Sequence, residues 1–176
     1  MRLKTANRMW PLDLYRGVVW EANPKLHYIG MQDQFYTFNM FDAQAWYSRD
    51  VILGRQKLPS LDEMKKNSAA WRAREETLED AEACIWFQGD YVKELIELTD
   101  YPSFDVEAVN QTFMEWEHHK AENIMGFRDH AYKSIMTGKM SPKHHTPWLK
   151  AMDDSLESYL NESGTPASAG KMSAAK

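Results

Sequence analysis

The stretch that decides the fold is GMQDQFYTFNMFDAQAWYSRDVILG, residues 30–54, which joins a short strand to an apolar helix. Leu26 to Ile29 form the predicted strand before it. Asn39 is the predicted N-cap of a helix over residues 39–53, and Gly54 follows as its stop. That helix is apolar over much of its circumference, so we expect it to be buried on more than one side.

The segment before this stretch predicts short strands set in loops. A strand is expected at Val18 to Trp20, ahead of the one at Leu26 to Ile29. Two short strands without a third make a poor independent sheet. The apolar faces at 18–31 and 39–53 have no evident partner in the sequence, so the segment resembles the end of a larger sheet. This predicts a fragment of a larger protein.

The rest of the chain predicts helices. Ser60 and Glu63 form a capping box that opens a charged helix reaching about Asp80. The helical period then repeats over 81–99, and Asp105 caps a helix running to about Met125. Further helices are expected at 127–137, ending at Gly138, and at 148–160, with a disordered tail over 163–176. The predicted fold class is mainly α with a short β segment.

Composition excludes several classes of protein. The 176 residues carry a net charge of −5 with both signs interspersed, so no basic stripe indicates nucleic acid. The amino terminus lacks the apolar core of a signal peptide, and no apolar run approaches the roughly 20 residues of a membrane-spanning helix. The single cysteine, Cys84, excludes an internal disulfide and the multi-cysteine zinc patterns. These features predict a cytoplasmic protein without membrane or nucleic-acid partners.

The motifs that hold nucleotides are absent from the sequence. There is no G-x-G-x-x-G and no G-x-x-x-x-G-K-[ST], so no glycine loop brings backbone amides against a pyrophosphate. We therefore expect the isolated chain to bind no nucleotide cofactor and to be inactive.

A histidine-rich helix offers a candidate metal site. Glu115 and His118 stand three residues apart, and His119 and Glu122 repeat the spacing. Such pairs bind iron or manganese in helical bundles when partner helices supply matching carboxylates. No second Glu-x-x-His is present, and the alternative is a polar helix face. We predict no metal and keep a di-metal helical protein as a minor alternative.

The corner at residues 30–39 is the most informative stretch for chemistry. Amides, hydroxyls and aromatic rings stand there where a strand meets the N-terminus of a helix. The unpaired N–H groups and positive dipole end of that helix suit an electron-rich ring edge. The alternative is a well-capped turn, with Asp33 as an exposed cap.

Three long runs resemble the bacterial trimethylamine-type members of the flavin-containing monooxygenase family. They are NPKLHYIGMQDQFYTFNMFDAQAWYSRDVILGR at 23–55, FMEWEHHKAENIMGFRDHAYKSIMTGKM at 113–140, and HHTPW at 144–148. The likeness extends from Arg2 to about Leu160. The family's glycine loops and fingerprint lie upstream of this part, so the chain corresponds to less than half of such an enzyme, at its carboxy-terminal end.

The resemblance implies a fold and a reaction. The whole enzyme would have a two-domain, Rossmann-like FAD- and NAD(P)-binding fold. Its flavin, reduced by NADPH, would trap O2 as a C4a-hydroperoxide that oxygenates trimethylamine to its N-oxide, and also related amines and sulfides. Retained NADP⁺ would shield that species from water. The enzyme would be a homodimer.

The resemblance also implies roles for particular residues. Gln34 and Thr37 match flavin contacts, and Asp33 matches an acidic residue near the nicotinamide. Phe35 stands where some relatives have tryptophan beside the amine pocket, and Trp116 matches a tryptophan near the active-site mouth, with a plain core residue as its alternative. No catalytic residue falls in this chain, because the family's catalytic asparagine lies upstream.

Three segments follow from these expectations. Residues 1–58 would end the FAD-binding domain, 59–162 would form a helical region, and 163–176 would be a tail. The competing hypothesis is a stand-alone helical interaction module derived from such an enzyme.

Overall fold

The computed structural model describes residues 9–30 and 32–141. The predicted mainly helical fold with a short β segment is confirmed. The predicted helix at 148–160 and the tail at 163–176 lie outside the described residues. In chain order the elements are β1 (Leu14–Tyr15), β2 (Val19–Trp20), α1 (Thr37–Ile52), α2 (Leu61–Glu75), α3 (Ala81–Glu97), α4 (Val106–Glu122) and a 3₁₀ turn (Phe127–Asp129).

The β segment is a two-stranded antiparallel hairpin. Leu14 lies opposite Trp20, and Tyr15 opposite Val19, which confirms the first predicted strand to within one residue. The predicted strand at 26–29 is wrong, because that stretch contributes only an isolated bridge to Val19. The pairing stays confined to that bridge, because the Leu26 N–H bonds back to the Asn23 carbonyl in a turn and Gly30, with a φ of 75°, ends the extended stretch.

Helix α1 begins earlier than the sequence predicted. Its first residue is Thr37 and its N-cap is Tyr36, so Asn39 is not the cap. The physical reason is tertiary: the Tyr36 hydroxyl donates to Asn110 Oδ1 (2.6 Å) on α4, which fixes the entry of the helix. At the other end Gly54, with a φ of 71°, follows the last turn as predicted.

The starts of the next three helices are set by side-chain caps. The Ser60–Glu63 capping box is present at α2, and Asp105 caps α4 through the Ala108 N–H, as the sequence predicted. Helix α2 ends at Glu75, before the predicted Asp80. Asp80 itself caps α3 by accepting from the Ala83 N–H.

The segment after α4 is not the predicted helix at 127–137. Only a 3₁₀ turn forms, and Lys133 then bridges Met140 around Gly138. The Asn123 side chain accepts from the N–H groups of the next turn, at Met125 and Gly126. This local hydrogen bonding competes with a helical ladder.

The core joins the hairpin to α1 and α3. Val18, Val19, Met40 and Tyr47 are buried in one cluster with Tyr91 and its neighbours on α3. The expectation that the faces at 18–31 and 39–53 lack an internal partner is therefore wrong for these residues, whereas Leu26, Ile29, Ile52 and Leu53 remain exposed. Within the described part of the chain, no helix is long and apolar enough to cross a membrane.

Helices α3 and α4 pack closely at one glycine. A Cβ on Gly89 would lie 2.5 Å from Asn110 Oδ1, so only glycine allows α4 to approach this far. Since Asn110 also holds Tyr36, this contact places α4 opposite the start of α1.

Candidate functional site

A cleft of about 830 Å³ opens between the corner, the start of α3 and one face of α4. The residues singled out in the sequence all line it, although they come from two distant parts of the chain: Asp33, Gln34, Phe35, Thr37 and Trp116. The corner is therefore open on this side and has room for a ligand of substantial size.

On its other side, the base of the corner is held by Gln44 of α1, which is 0 % exposed. Its Oε1 accepts from the Gly30 N–H (2.8 Å), and its Nε2 donates to Gln32 Oε1 and to the Tyr91 hydroxyl (both 2.9 Å). Burial raises the pKa of Tyr91 above its ordinary value, so the hydroxyl stays protonated and donates to the Arg16 carbonyl. The base of the corner is thereby tied to both α1 and α3.

The tip of the corner, residues 33–35, is held by Gln88 of α3, which is 1 % exposed. Its Oε1 accepts from the Phe35 N–H (2.7 Å), and its Nε2 donates to the Asp33 carbonyl. One side-chain amide thus holds the backbone on both sides of Gln34.

A glycine is required where the corner begins. Gly30 has a φ of 75°, and a Cβ there would lie 2.5 Å from Cε1 of Phe41. Any other residue would meet both backbone strain and the aromatic ring. The Phe41 ring therefore fixes how closely the corner lies against α1.

The two helices that begin at the cleft differ at their N-termini. Asp80 caps α3, and Glu82 adds an acidic side chain to its first turn. No side chain among the described residues caps α1, and its first turn contains no acidic residue. The positive end of the α1 dipole therefore remains available to a negative or electron-rich group.

Gln34 lines the cleft, and its side-chain oxygen is an unsatisfied acceptor. Its Oε1 is shielded from water and has no hydrogen-bond partner in residues 9–30 or 32–141. A buried polar atom left in this state costs free energy. A flavin has a ring edge with an N–H donor between two carbonyl acceptors, so an amide and the Thr37 hydroxyl fit it chemically.

The α4 side of the cleft is aromatic. Phe113 packs against Phe35 (centroids 6.0 Å apart) and against Tyr36 (5.1 Å). Trp116 packs edge-on against Phe127, and the Lys120 ammonium lies 4.8 Å from the centroid of its indole. Trp116 is half-buried and lines the cleft.

The charge of the cleft lining is negative. Among the described residues that line it, four are acidic and one is basic: Asp33, Glu79, Asp80 and Glu117 against Lys120. Lys120 pairs with Glu117 at 3.1 Å. The resulting potential favours the approach of a cation.

The histidines of α4 form a surface cluster. The His119 ring stacks on His130 at 3.7 Å and bonds the Tyr132 hydroxyl at 2.8 Å, while His118 contacts Glu122. In the described part of the chain, no three His, Cys, Asp or Glu side chains are arranged to hold a metal ion. The geometry therefore provides no support for the di-metal hypothesis.

Sequence reasoning missed three residues of this site, namely Gln44, Gln88 and Phe113. The two glutamines could have been recognised from the sequence, because each stands among the buried apolar residues of its helix. A long amide in such a position must have hydrogen-bond partners.

No protein-family profile matches the sequence. The chain is similar to the trimethylamine monooxygenases of Pelagibacter ubique strain HTCC1002 (56 % identity over 92 % of the chain), Roseovarius sp. strain 217 (59 % over 91 %) and Methylocella silvestris (55 % over 92 %). It spans 36–37 % of the length of these relatives. Among solved structures, Tmm from Pelagibacter sp. strain HTCC7211 superposes with a TM-score of 0.79 at 53 % identity, covering 90 % of this chain and 36 % of that one.

Proposed function

We propose that this chain, a homologue of the trimethylamine monooxygenases over more than nine tenths of its length, is the carboxy-terminal, cofactor-facing part of such an enzyme. The observation that carries the proposal is the cleft, where the corner and α4 bring every candidate residue to one open surface. The remaining polypeptide would supply the nucleotide-binding glycine loops and complete a two-domain, Rossmann-like fold.

The proposed reaction is the N-oxygenation of trimethylamine. Trimethylamine, O2, NADPH and a proton would give trimethylamine N-oxide, NADP⁺ and water, with one oxygen atom going to the nitrogen and the other to water. A bound FAD, reduced by NADPH, would supply the activation of oxygen. Related amines and sulfides are further substrates in this proposal.

The residues of the corner would bind the flavin ring. The Gln34 side chain and the Thr37 hydroxyl would hydrogen-bond its polar edge, which gives the shielded Gln34 oxygen a partner. The uncapped start of α1 would stabilise negative charge on the reduced ring by about 0.3–2 kcal/mol. Asp33, at the rim of the corner, would position or gate the nicotinamide.

The α4 side of the cleft would receive the amine. Tertiary aliphatic amines are cationic at neutral pH, and the acidic lining favours their approach. Phe35 would offer an aromatic face for a cation–π contact. The Lys120 ammonium already lies over the indole of Trp116. We therefore assign Trp116 to the mouth of the pocket, and Phe35 with Phe113 to its wall.

One observation favours the stand-alone helical module as a second candidate. Apolar residues of the hairpin and of α1, among them Val18, Val19, Met40 and Tyr47, are buried within the chain itself, so the described part has its own core. A folded chain that never requires the nucleotide-binding portion would fit that function.

A flavin titration separates the two candidates. We expect the purified chain to bind neither FAD nor NADPH tightly, and a full-length protein containing this segment to bind FAD stoichiometrically and to consume NADPH faster when trimethylamine is added. A full-length protein without flavin would contradict the proposal. Tight, yellow, stoichiometric FAD binding by the isolated chain would contradict the assignment of the nucleotide loops to the remaining polypeptide.

A further inference from the structure

The bonds of Gln88 single out one residue of the corner. Its amide accepts from the Phe35 N–H at 2.7 Å and donates to the Asp33 carbonyl, so it bridges the two backbone groups that flank Gln34. With both neighbours held, the peptide planes on either side of Gln34 cannot rotate freely. The direction of its Cα–Cβ bond, and so of its side chain, is fixed with them.

The polar character of Gln88 is costly unless these bonds are made. The side chain is 1 % exposed and stands among apolar residues of α3, where a methionine would fill a similar volume without a hydrogen-bonding requirement. Because α3 is a long, buried helix, it gives the bridge a rigid base.

We propose that Gln88 is a positioning residue that aims the Gln34 amide at the bound flavin. The inference rests on the proposed function, because it requires a flavin at the corner. Gln34 is the side chain that reaches the cleft, and its shielded Oε1 has no partner in the part of the chain that the structure describes. Gln88 does not line the cleft and acts through Gln34.

Gln44 provides a matched control within the same molecule. It is also a fully buried helical glutamine bonded to the corner, but its partners are Gly30, Gln32 and Tyr91. It supports the base of the corner and touches neither neighbour of Gln34. Its replacement should cost stability as the replacement of Gln88 does, without the same dependence on Gln34.

A double-mutant cycle in the full-length protein that contains this segment tests the inference. The dissociation constant of FAD is measured for the unsubstituted protein, for Q88M, for Q34A and for the double variant. Gln88→Met should weaken FAD binding about fivefold to tenfold when Gln34 is present, and less than about twofold in the Gln34→Ala background. The visible absorption spectrum of the bound flavin should change in the same way in Q88M and Q34A.

The possible outcomes distinguish a failure of this inference from a failure of the proposed function. Equal losses in both backgrounds would show a purely structural role and overturn the inference, as would a Q44M variant with the same coupling to Gln34. If Gln88→Met does not fold, Gln88→Asn keeps a neutral side-chain amide but is one methylene shorter, so it cannot span both backbone groups and should show the same coupling. An unsubstituted full-length protein that binds no FAD would remove the proposed function and the inference with it.

Discussion

Two helices begin at the cleft, and they begin differently. Helix α3 starts behind Asp80, whose carboxylate accepts from the Ala83 N–H, with an acidic residue in the first turn. Helix α1 starts at Thr37 with neither feature in the described structure. Both termini border the same space, although Asp80 and Ala81 at the start of α3 are exposed and Tyr36 at the start of α1 is buried.

The difference shows which of the two helix N-termini receives a capping side chain and an acidic residue from the described chain itself. The α3 terminus has its electrostatic partner within the chain. The α1 terminus is held in place by Tyr36, Gln44 and Gln88, but no side chain in residues 9–30 or 32–141 caps its positive end. A helix end that is rigidly placed yet electrostatically incomplete is suited to an external ligand.

The largest expected effect comes from displacing the corner that leads into α1. In Gly30→Ala, the added Cβ would clash with the Phe41 ring, and the backbone would be strained at its positive φ. We expect the substitution to lower the free energy of unfolding by about 2–4 kcal/mol. Gly54→Ala is the matched control, because it has a similar φ but no atom within 4 Å, and it should cost about 1–2 kcal/mol. Denaturant unfolding of both variants measures the difference, and equal costs would show that the Phe41 contact does not restrain the corner.

The next effect concerns the aromatic wall on the open side. In the full-length enzyme, Phe35→Ala should raise the KM for amine about 3- to 30-fold through loss of a cation–π contact, with FAD content unchanged. Trp116→Ala should have the smaller effect, because Lys120 already covers its indole. Steady-state kinetics beside flavin absorbance tests this, and wholesale loss of flavin without a kinetic change would refute the pocket assignment.

At the N-terminus of α3, removal of the Asp80 cap should destabilise the protein. Asp80→Ala deletes the bond to Ala83 and should lower stability by about 1 kcal/mol. Asp80→Asn retains an acceptor and should cost clearly less. A comparison of their unfolding midpoints measures the contribution of the cap, and a neutral Asp80→Ala would erase the contrast between the two helices.

The smallest effect should come from supplying α1 with the charge that it lacks. Phe38 is 78 % exposed in the first turn, so Phe38→Glu adds an acid there with little loss of packing. Relative to Phe38→Gln, it should stabilise the chain by about 0.3–1 kcal/mol at low ionic strength, and salt should reduce the gain. Unfolding at low and high salt tests it, and no difference between the two variants would mean that the α1 terminus is already neutralised.

The helix starts that depend on local chemistry could be predicted from the sequence. Ser60 with Glu63, and Asp105, are read correctly because their partners lie within three residues. The start of α1 was misplaced at Asn39, since it is set by a hydrogen bond from Tyr36 to a residue 74 positions away. The helix predicted at 127–137 is also wrong: the Asn123 side chain accepts from the Met125 and Gly126 N–H groups where α4 ends, and only a 3₁₀ turn follows.

The candidate site shows the same difference between features set by local sequence and features set by contacts distant in the chain. The residue types at 33–37 and the resemblance of the runs predicted which side chains to examine, and the fold brings them with Trp116 to one cleft. Their roles stay predictions. The supporting glutamines were missed because their partners are backbone groups 14 and 53 residues away along the chain, which no local pattern reveals.

Trp10 and Trp71 lie face to face, with centroids 4.8 Å apart and planes inclined by 4°. Two parallel indoles at this distance couple their electronic transitions, so the pair should give the near-ultraviolet circular dichroism spectrum a signature of its own. Trp71 belongs to α2, which buries little besides Met64 and Ser68. The signal would therefore report when α2 leaves the remainder of the protein.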